Sequence, residues 1–367
     1  MKAEHEKYMR LALLEARKGL GRTSPNPCVG AVIVKSGEIV GVGYHKKAGT
    51  PHAEIHALAD AGDRAEGATI YVTLEPCSHY GKTPSCCEAV AEAGIVRVVI
   101  GMLDPNPLVN GRGVAFLKDK GIEVVATVCE DECIAINRPF VKMITTGLPW
   151  MIMNAGVSLD GRLNYQKGSP GWITGKESKE KVHKLRDQVD AIMVGSSTVK
   201  IDNPSLTTRL GNGEGKNPIR VILDSKLSTS IDAEVYQSAH EVKTIVFCAE
   251  NVDQVKEKIF LEHGVEIVKV SLDLEGKIDL LTAMKRLVEF GINSVLVEGG
   301  STLHGEVLKQ QLYDYAYLFY APVFAGCAGV SLTSGHEVEN RDKRVVLNSP
   351  RYTQLGDDIM IEGFFGY

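Results

Sequence analysis

The first 146 residues alternate between helical and strand-like hydrophobic patterns. Apolar residues recur at helical spacing from Met9 to Leu20 and predict one face of a helix. The runs VGAVIV and EIVGVGYH predict two strands joined by a turn at a Ser-Gly pair. A helix from His52, a strand in ATIYVTLEP, a helix over 86–93 and a strand in VRVVIGM follow. This alternation predicts a sheet covered by helices.

The second half repeats the alternation with more strongly apolar strands. The runs DAIMVG, PIRVILD, KTIVFCA, VEIVKV and NSVLVEGG are separated by helical segments such as DLLTAMKRLVEFG. Continuous apolar runs are typical of parallel strands that are buried on both faces. Near the C-terminus, YAYLFYAPVF and DIMIEGFFG predict two closing strands, which we expect to be antiparallel. A Gly-Leu-Pro sequence at 147–149 marks the boundary, so we predict domains at 1–146 and 147–367.

Composition narrows the class of protein without identifying its chemistry. The chain has 367 residues, which is long for one hydrophobic core and favours two domains. Its formal net charge is −5, and no apolar run reaches the length of about 18 residues that spans a bilayer. We therefore expect a cytoplasmic protein that binds neither nucleic acid nor membrane. Five of the eight cysteines are scattered, and we interpret them as small buried residues: Cys28, Cys129, Cys133, Cys248 and Cys327.

The other three cysteines lie close together, downstream of a His-Ala-Glu sequence. His52 and Glu54 stand at the start of a predicted helix, and Cys77 and Cys86 follow with eight residues between them. A catalytic zinc ion takes three protein ligands and one water. His-x-Glu followed by Pro-Cys and a second cysteine is the signature of zinc-dependent nucleobase deaminases, in which the glutamate moves protons without binding the metal. A structural zinc site that also uses Cys87 or His56 is the alternative.

The signature normally has two residues between its cysteines, so the longer insertion here is predicted to present side chains to a substrate. The motifs TSPNPCVGAVIV, HAE and PCSHYGKTPSC resemble the deaminase half of the bifunctional riboflavin-biosynthesis deaminase/reductase family, and the resemblance extends over essentially the whole chain. It implies an N-terminal cytidine-deaminase-like α/β/α domain in which His52, Cys77 and Cys86, rather than Cys87, bind one zinc ion. Glu54 is then the catalytic proton carrier. Expected contacts to the substrate are Asn26, His79 and Lys82.

By the same resemblance, the substrate is a diaminopyrimidinone with a ribosylamino phosphate, deaminated at carbon 2. The alternatives are a nucleoside or RNA deaminase with a noncatalytic C-terminal domain, and a noncatalytic zinc-bound nucleotide sensor. An RNA deaminase would use a basic groove, which the sequence does not indicate. A sensor would not need Glu54. The family also leads us to expect a homo-oligomer.

The strongest feature of the second half is NSVLVEGGSTLHGEVL, a strand followed by two glycines and a helix. Free amides at such a helix start suit a phosphate, although the sequence is not the usual G-x-G-x-x-G fingerprint. The order SLDGRL, WITG, GSSTVKIDNPSLTTR and VEGG resembles the reductase domain of the same family, which implies a dihydrofolate-reductase-like α/β domain that uses NADPH. Implied NADPH contacts are Gly156, Trp172, Thr198, Ser225, Gly299, Gly300, Ser301, Thr302 and Leu303. Implied contacts to the ribose-phosphate substrate are Ser169, Arg186, Asp202, Leu206, Arg209 and Glu298.

Two positions in the second half complicate this prediction. Asn154 stands where many members of the family that the sequence resembles have lysine. If that lysine helps to bind the substrate, this chain must compensate, because asparagine can form hydrogen bonds but supplies no charge. Ser225 and Lys226 follow a predicted strand, and we expect them to form a polar cradle for the extra ribose phosphate of NADPH. The neighbouring Asp224 instead favours NADH, because a carboxylate at a strand end is more typical of NADH binding.

Overall fold

A computed structural model describes residues 2–78, 85–107, 109–211 and 213–367. The chain divides into two units, Met1–Gly147 and Leu148–Tyr367. The predicted substrate contacts at His79 and Lys82 lie outside the described residues. Across the part of the chain that is described, no helix has both the length and the apolar character needed to cross a bilayer.

The N-terminal unit contains a five-stranded sheet with helices packed against it. Its strands are β1 (Gly30–Lys35), β2 (Glu38–Tyr44), β3 (Thr69–Leu74), β4 (Arg97–Met102) and β5 (Glu123–Val125). Its helices are α1 (Lys2–Arg17), α2 (Ala53–Ala61), α3 (Cys86–Glu92), α4 (Arg112–Asp119) and α5 (Glu130–Thr146). The strand order is β2-β1-β3-β4-β5, with β1 antiparallel to both neighbours and β3, β4 and β5 parallel. The predicted hairpin of β1 and β2 is therefore confirmed.

Glycines on β2 set the position of α2, the helix that begins at the His-Ala-Glu sequence. A Cβ at Gly43 would overlap the backbone of Ala53 and Ala57, and a Cβ at Gly41 would overlap the carbonyl of Ala57. The helix therefore lies directly on the strand, with no side chain between the two backbones. This close contact fixes the first turn of α2, where the candidate catalytic residues are.

The C-terminal unit contains a nine-stranded, mostly parallel sheet. Its strands are β6 (Trp150–Ser158), β7 (Ala191–Gly195), β8 (Ile219–Leu223), β9 (Thr244–Ala249), β10 (Glu266–Val270), β11 (Ser294–Val297), β12 (Tyr315–Ala321), β13 (Val346–Leu355) and β14 (Asp358–Gly366). Its helices are α6 (Lys176–Gln188), α7 (Ser196–Asp202), α8 (Glu234–Gln237), α9 (Gln254–Glu262), α10 (Leu280–Glu289) and α11 (Ser301–Lys309). The strand order is β10-β9-β8-β7-β11-β6-β12-β14-β13.

The two closing strands, β12 and β14, pair antiparallel, as predicted. β12 also lies parallel to β6, and β13 pairs antiparallel to β14 at the edge of the sheet. The sequence did not indicate the pairing of β12 with β6, because these two strands are far apart in the chain. The interior strands are buried on both faces, as predicted. Val295 and Val297 pack with Met284 on one face, whereas Leu296 packs with Leu185 on the other.

The scattered cysteines divide into two groups. Cys28, Cys133 and Cys248 are buried, as predicted. Cys129 is half-buried and Cys327 is exposed, so the prediction is wrong for these two. Cys129 precedes the first turn of α5 and packs at the edge of the N-terminal core, whereas Cys327 lies in a loop after β12.

Candidate active sites

Three side chains from different elements meet beyond the end of β3. His52 is the N-cap residue of α2, Cys86 is the first residue of α3, and Cys77 follows β3. The Nδ1 atom of His52 lies 3.2 Å from Cys86 Sγ and 3.6 Å from Cys77 Sγ. A tetrahedral zinc ion with one nitrogen ligand and two sulfur ligands places nitrogen and sulfur about 3.6 Å apart. The three side chains therefore fit a zinc ion.

Cys87 and His56, the alternative ligands, lie outside this group. Among the described His, Cys, Asp and Glu residues, His52, Cys77 and Cys86 form the group whose ligand atoms all lie within 4.8 Å of one another. The Cys87 thiol is buried and donates a hydrogen bond to the Pro76 carbonyl at 3.3 Å. A site with three protein ligands leaves one position for water, which is the arrangement of catalytic zinc.

The electrostatics around this group favour a thiolate at Cys77 and raise the pKa of the Glu54 carboxyl. The pKa of the Cys77 thiol is lowered to about 4 by a hydrogen bond with the Cys86 side chain, and further by His52 and the Cys86 amide, which lies 3.3 Å from the sulfur. Glu54 is 3% exposed, and burial together with the charge of Cys77 raises the pKa of its carboxyl to about 7. A carboxyl whose pKa lies near neutrality suits proton transfer in both directions.

Asn26 reaches the same region through His45. Asn26 Nδ2 lies 3.2 Å from His45 Nε2, and His45 Nδ1 lies 3.2 Å from the Pro51 carbonyl. Because a carbonyl only accepts hydrogen bonds, Nδ1 holds the ring proton, and burial lowers the pKa of His45 and keeps the ring neutral. Nε2 is then an acceptor, and it fixes the amide of Asn26 with its nitrogen toward His45. The oxygen of Asn26 remains to accept a hydrogen bond from a ligand.

The C-terminal unit has a cleft of about 1220 Å³ at the carboxyl ends of its central parallel strands. Ligands in open parallel sheets bind at this end. All nine predicted NADPH contacts line the cleft, and so do five of the six predicted substrate contacts: Arg186, Asp202, Leu206, Arg209 and Glu298. Ser169 is the exception, and it lies between two lining residues, Gly168 and Pro170.

The start of α11 fits the pyrophosphate of a dinucleotide. Gly300, its N-cap residue, provides no side-chain cap, and its own amide donates to Thr198 Oγ1 at 3.1 Å. Ser301 Oγ is buried beside the cleft without a hydrogen-bond partner in the described chain. Free backbone amides at a helix start bind anions. The residues present therefore fit NADPH.

Two family models match the chain. The cytidine and deoxycytidylate deaminase zinc-binding region matches residues 2–102, and the RibD C-terminal domain matches residues 149–361. Riboflavin biosynthesis protein RibD of Aquifex aeolicus (strain VF5) is 42% identical over 96% of this chain and 96% of the relative. The protein of the same name from Escherichia coli (strain K12) is 40% identical over 88% of this chain and 89% of its own. The chain belongs to the RibD family.

Solved structures of RibD proteins agree with this assignment over the full length. Acinetobacter baumannii RibD, form 1, has a TM-score of 0.90 at 34% identity and covers 100% of both chains. The deaminase/reductase from Thermotoga maritima has a TM-score of 0.84 at 36% identity and covers 98% of both. The predicted fold class is confirmed, as is the bifunctional class with its two cofactors, zinc and NADPH. The N-terminal unit is a deaminase domain and the C-terminal unit is a reductase domain.

In this RibD-family chain, the two predicted substrate arginines differ in their surroundings. Arg186 is buried and donates to both carboxylate oxygens of Glu298, at 2.9 and 2.6 Å, and to the Thr207 carbonyl at 2.9 Å. Arg209 is exposed, and its Nη1 donates to Ser205 Oγ at 3.1 Å. Bidentate phosphate binding needs free guanidinium edges, so Arg209 is the better candidate.

The structure gives the surroundings of two side chains that the sequence had singled out. Asn154 is 6% exposed and lines the cleft, and its Oδ1 is buried without a hydrogen-bond partner in the described residues. The carboxylate of Asp224 accepts from the amides and hydroxyls of both Ser228 and Thr229, at 2.7 to 2.9 Å. Asp224 therefore closes its own turn and is not directed at a cofactor ribose. The periodicity of β6 placed Asn154 in a strand, but only the neighbouring strands show which face it occupies.

Proposed function

We propose that this chain catalyses two consecutive steps of riboflavin synthesis. The first is hydrolytic deamination of 2,5-diamino-6-(5-phosphoribosylamino)pyrimidin-4-one, and the second is NADPH-dependent reduction of the ribosyl group of 5-amino-6-(5-phosphoribosylamino)uracil. The main support is the presence in one chain of a three-ligand metal group beside the buried Glu54 and a strand-end cleft with a free helix start. The Thermotoga maritima relative is described as a diaminohydroxyphosphoribosylaminopyrimidine deaminase/5-amino-6-(5-phosphoribosylamino)uracil reductase.

In the deaminase site, His52, Cys77 and Cys86 would hold zinc. When bound, zinc is a Lewis acid that lowers the pKa of water toward neutrality. Glu54 takes a proton from the attacking water as its oxygen bonds to carbon 2, and it delivers a proton to the amine as the carbon–nitrogen bond breaks and ammonia leaves. Asn26 accepts a hydrogen bond from the pyrimidine and so orients the ring. The predicted contacts at His79 and Lys82 remain part of this proposal.

In the reductase cleft, the residues of the chain orient the two reactants. The cofactor supplies the hydride that reaches the anomeric carbon of the ribosyl group. The amides that begin α11 and the hydroxyl of Ser301 bind its pyrophosphate. Arg209 binds the substrate phosphate, and Glu298, held in place by Arg186, accepts hydrogen bonds from the ribose hydroxyls. Asn154 provides a further acceptor from the floor of the cleft.

Turnover with each substrate tests the proposal. Purified protein is incubated with the diaminopyrimidinone phosphate with and without NADPH, and zinc content is measured alongside. We expect ammonia release in both mixtures, NADPH oxidation only after deamination, and one zinc ion per chain. Cytidine and single-stranded RNA are the control substrates and should release no ammonia. Release from either control, combined with no NADPH oxidation by the deaminated intermediate, would instead support a deaminase with a noncatalytic C-terminal domain.

We also propose that the chain forms a homo-oligomer. One of the two edge strands of the large sheet is β13, whose residues are mostly exposed over its length of 10 residues. An exposed strand edge presents unpaired amides and carbonyls that can pair with a second copy. Light scattering of the purified protein measures the mass directly. A mass equal to that of one 39.8 kDa chain at all concentrations would contradict the proposal.

A further inference from the structure

Glu75 lies between β3 and Cys77 and is 4% exposed. Its Oε2 atom accepts from the amides of Asp104 and Gly111, at 3.2 and 3.0 Å. Its Oε1 atom accepts from the amides of Gly113 and Val114, at 2.9 and 3.2 Å. Hydrogen bonds to an ionised carboxylate are about twice as strong as neutral ones. One side chain therefore joins the end of β3 to the segment that leads into α4.

The bonds to Glu75 satisfy amides in the first turn of α4, which has no side-chain cap of its own. The N-cap residue of this helix, Gly111, has no side chain that can accept a hydrogen bond, and the amides of Gly113 and Val114 precede the intrahelical ladder. Gly113 also brings the helix into direct contact with the metal loop, because a Cβ there would overlap the Pro76 carbonyl and lie 3.1 Å from Glu75 Cγ. The peptide before Cys77 therefore cannot move without moving α4.

Cys87 holds the same peptide from the side of α3. Its thiol donates to the Pro76 carbonyl at 3.3 Å and lies 3.7 Å from the Gly113 carbonyl. The Cys87 amide donates to the Cys77 carbonyl at 3.1 Å. The segment Pro76–Cys77 thus lies between α3 and α4, with hydrogen bonds to the first and close packing against the second.

We propose that Glu75 is a positioning residue for the metal centre, and that Cys87 supports it. Glu75 does not reach the metal group; through α4 and the Pro76–Cys77 peptide it fixes where the Cys77 sulfur lies relative to His52. Metal affinity depends on this placement, because loss of an outer-shell partner typically weakens binding by about 10–100-fold. The proposal rests on the proposed function in one respect, that His52, Cys77 and Cys86 bind zinc.

Glu75→Gln in the full-length protein tests this role. The amide oxygen of glutamine can still accept two hydrogen bonds, but its NH2 group faces two amide donors that the carboxylate accepted. We expect the zinc dissociation constant, measured by competition with a chromophoric chelator, to rise by about 10–100-fold. The visible absorption bands of the Co²⁺-substituted protein should shift, because they report the geometry of the ligands. Reduction of the deaminated intermediate provides an internal control and should be unchanged.

Matched variants separate positioning from general stability. Glu92→Gln changes an exposed glutamate at the end of α3 and should match the parent protein. Cys87→Ser keeps a hydrogen-bond donor and should bind zinc nearly as tightly as the parent, whereas Cys87→Ala should bind it several-fold more weakly. If Glu75→Gln does not fold, the zinc affinities of Cys87→Ser and Cys87→Ala are compared instead. Their difference decides whether contacts to the Pro76–Cys77 peptide position the metal ligands.

The proposal is overturned if Glu75→Gln binds zinc as tightly as the parent, or if it binds zinc more weakly with unchanged Co²⁺ bands. Equal zinc affinity of Cys87→Ala and Cys87→Ser would overturn it as well. A parent protein that bound no zinc at all would contradict the proposed function instead, and the two failures are therefore distinguishable.

Discussion

Arg186 and Glu298 form a buried bidentate ion pair although 112 residues separate them in sequence. Their side chains are 8% and 12% exposed, so both charges are largely removed from water. Removing one partner of such a pair leaves an uncompensated charge. The pair therefore acts as one unit, in which the arginine holds the carboxylate in place and is not itself free to bind a phosphate.

We predict that Arg186→Met and Arg209→Met have different consequences. Arg186→Met should lower the free energy of unfolding by about 3 kcal/mol, since it leaves Glu298 buried and unpaired. Arg209→Met should change stability by less than about 0.5 kcal/mol, because Arg209 is exposed. It should instead raise KM for the phosphorylated reductase substrate by about tenfold or more, the value of a lost hydrogen bond to a charged group. Urea unfolding and steady-state kinetics measure both. If Arg186→Met instead raised KM and Arg209→Met lowered stability, Arg186 rather than Arg209 would be the residue that binds the substrate phosphate.

The local pattern of the sequence was sufficient for many of the elements, but not for the partners of charged side chains. The β1–β2 hairpin follows from short-range spacing, whereas the choice of His52, Cys77 and Cys86 over Cys87 and His56 came from the family resemblance. The pairing of Arg186 with Glu298 depends on which strands become neighbours, and a single sequence does not specify this. The pairing of β12 with β6 was not predicted for the same reason.

A second prediction concerns the cofactor. We predict that the enzyme prefers NADPH and that Asp224→Asn does not change this preference, because the carboxylate is occupied by Ser228 and Thr229. The free energy of unfolding of Asp224→Asn should be lower by about 1–3 kcal/mol, since the amide nitrogen of asparagine then faces hydrogen-bond donors of Ser228 and Thr229. Lys226→Gln should lower kcat/KM for NADPH and leave that for NADH unchanged. Equal kcat/KM of the parent with both cofactors would refute the preference.

A third prediction concerns acid stability. Burial, with further contributions from Arg186 and Arg209, lowers the pKa of His183 to about 4, and its Nδ1 accepts from the Arg209 amide at 3.2 Å. In the unfolded chain the pKa of histidine is about 6.5. Between these values the unfolded chain binds more protons, so this contribution to stability is complete above about pH 6.5 and is lost as the pH falls toward 4.

The variant His183→Gln keeps an acceptor for the Arg209 amide but does not titrate. We expect its urea midpoint to fall less steeply than that of the parent as the pH decreases through this window. His263 is exposed and provides the matched control, for which His263→Gln should follow the parent. Parallel profiles for parent and His183→Gln would show that His183 does not contribute to acid sensitivity.

A fourth prediction concerns the unpaired oxygen of Asn154. An unsatisfied buried acceptor costs about 1–3 kcal/mol, and the cost is recovered when a ligand donates to it. Asn154→Leu keeps the number and branching of the side-chain heavy atoms without the polar groups, and it should therefore raise the melting temperature of the free protein while it lowers kcat/KM of the reductase. Calorimetry and kinetics on the same preparation test both effects. A lower melting temperature with unchanged kinetics would indicate a purely structural residue.

The central claim, two separate sites in one chain, is tested most directly by Glu54→Gln, assayed on each half-reaction with its own substrate. Glutamine keeps the shape of the buried side chain but cannot accept the proton, so we expect deamination to fall at least ~100-fold. Zinc content and melting temperature should match the parent, because His52, Cys77 and Cys86 are unchanged. Reduction of the already deaminated intermediate should proceed at nearly the parent rate. A folded, zinc-loaded variant that lost both activities together would contradict the account and require a single composite site.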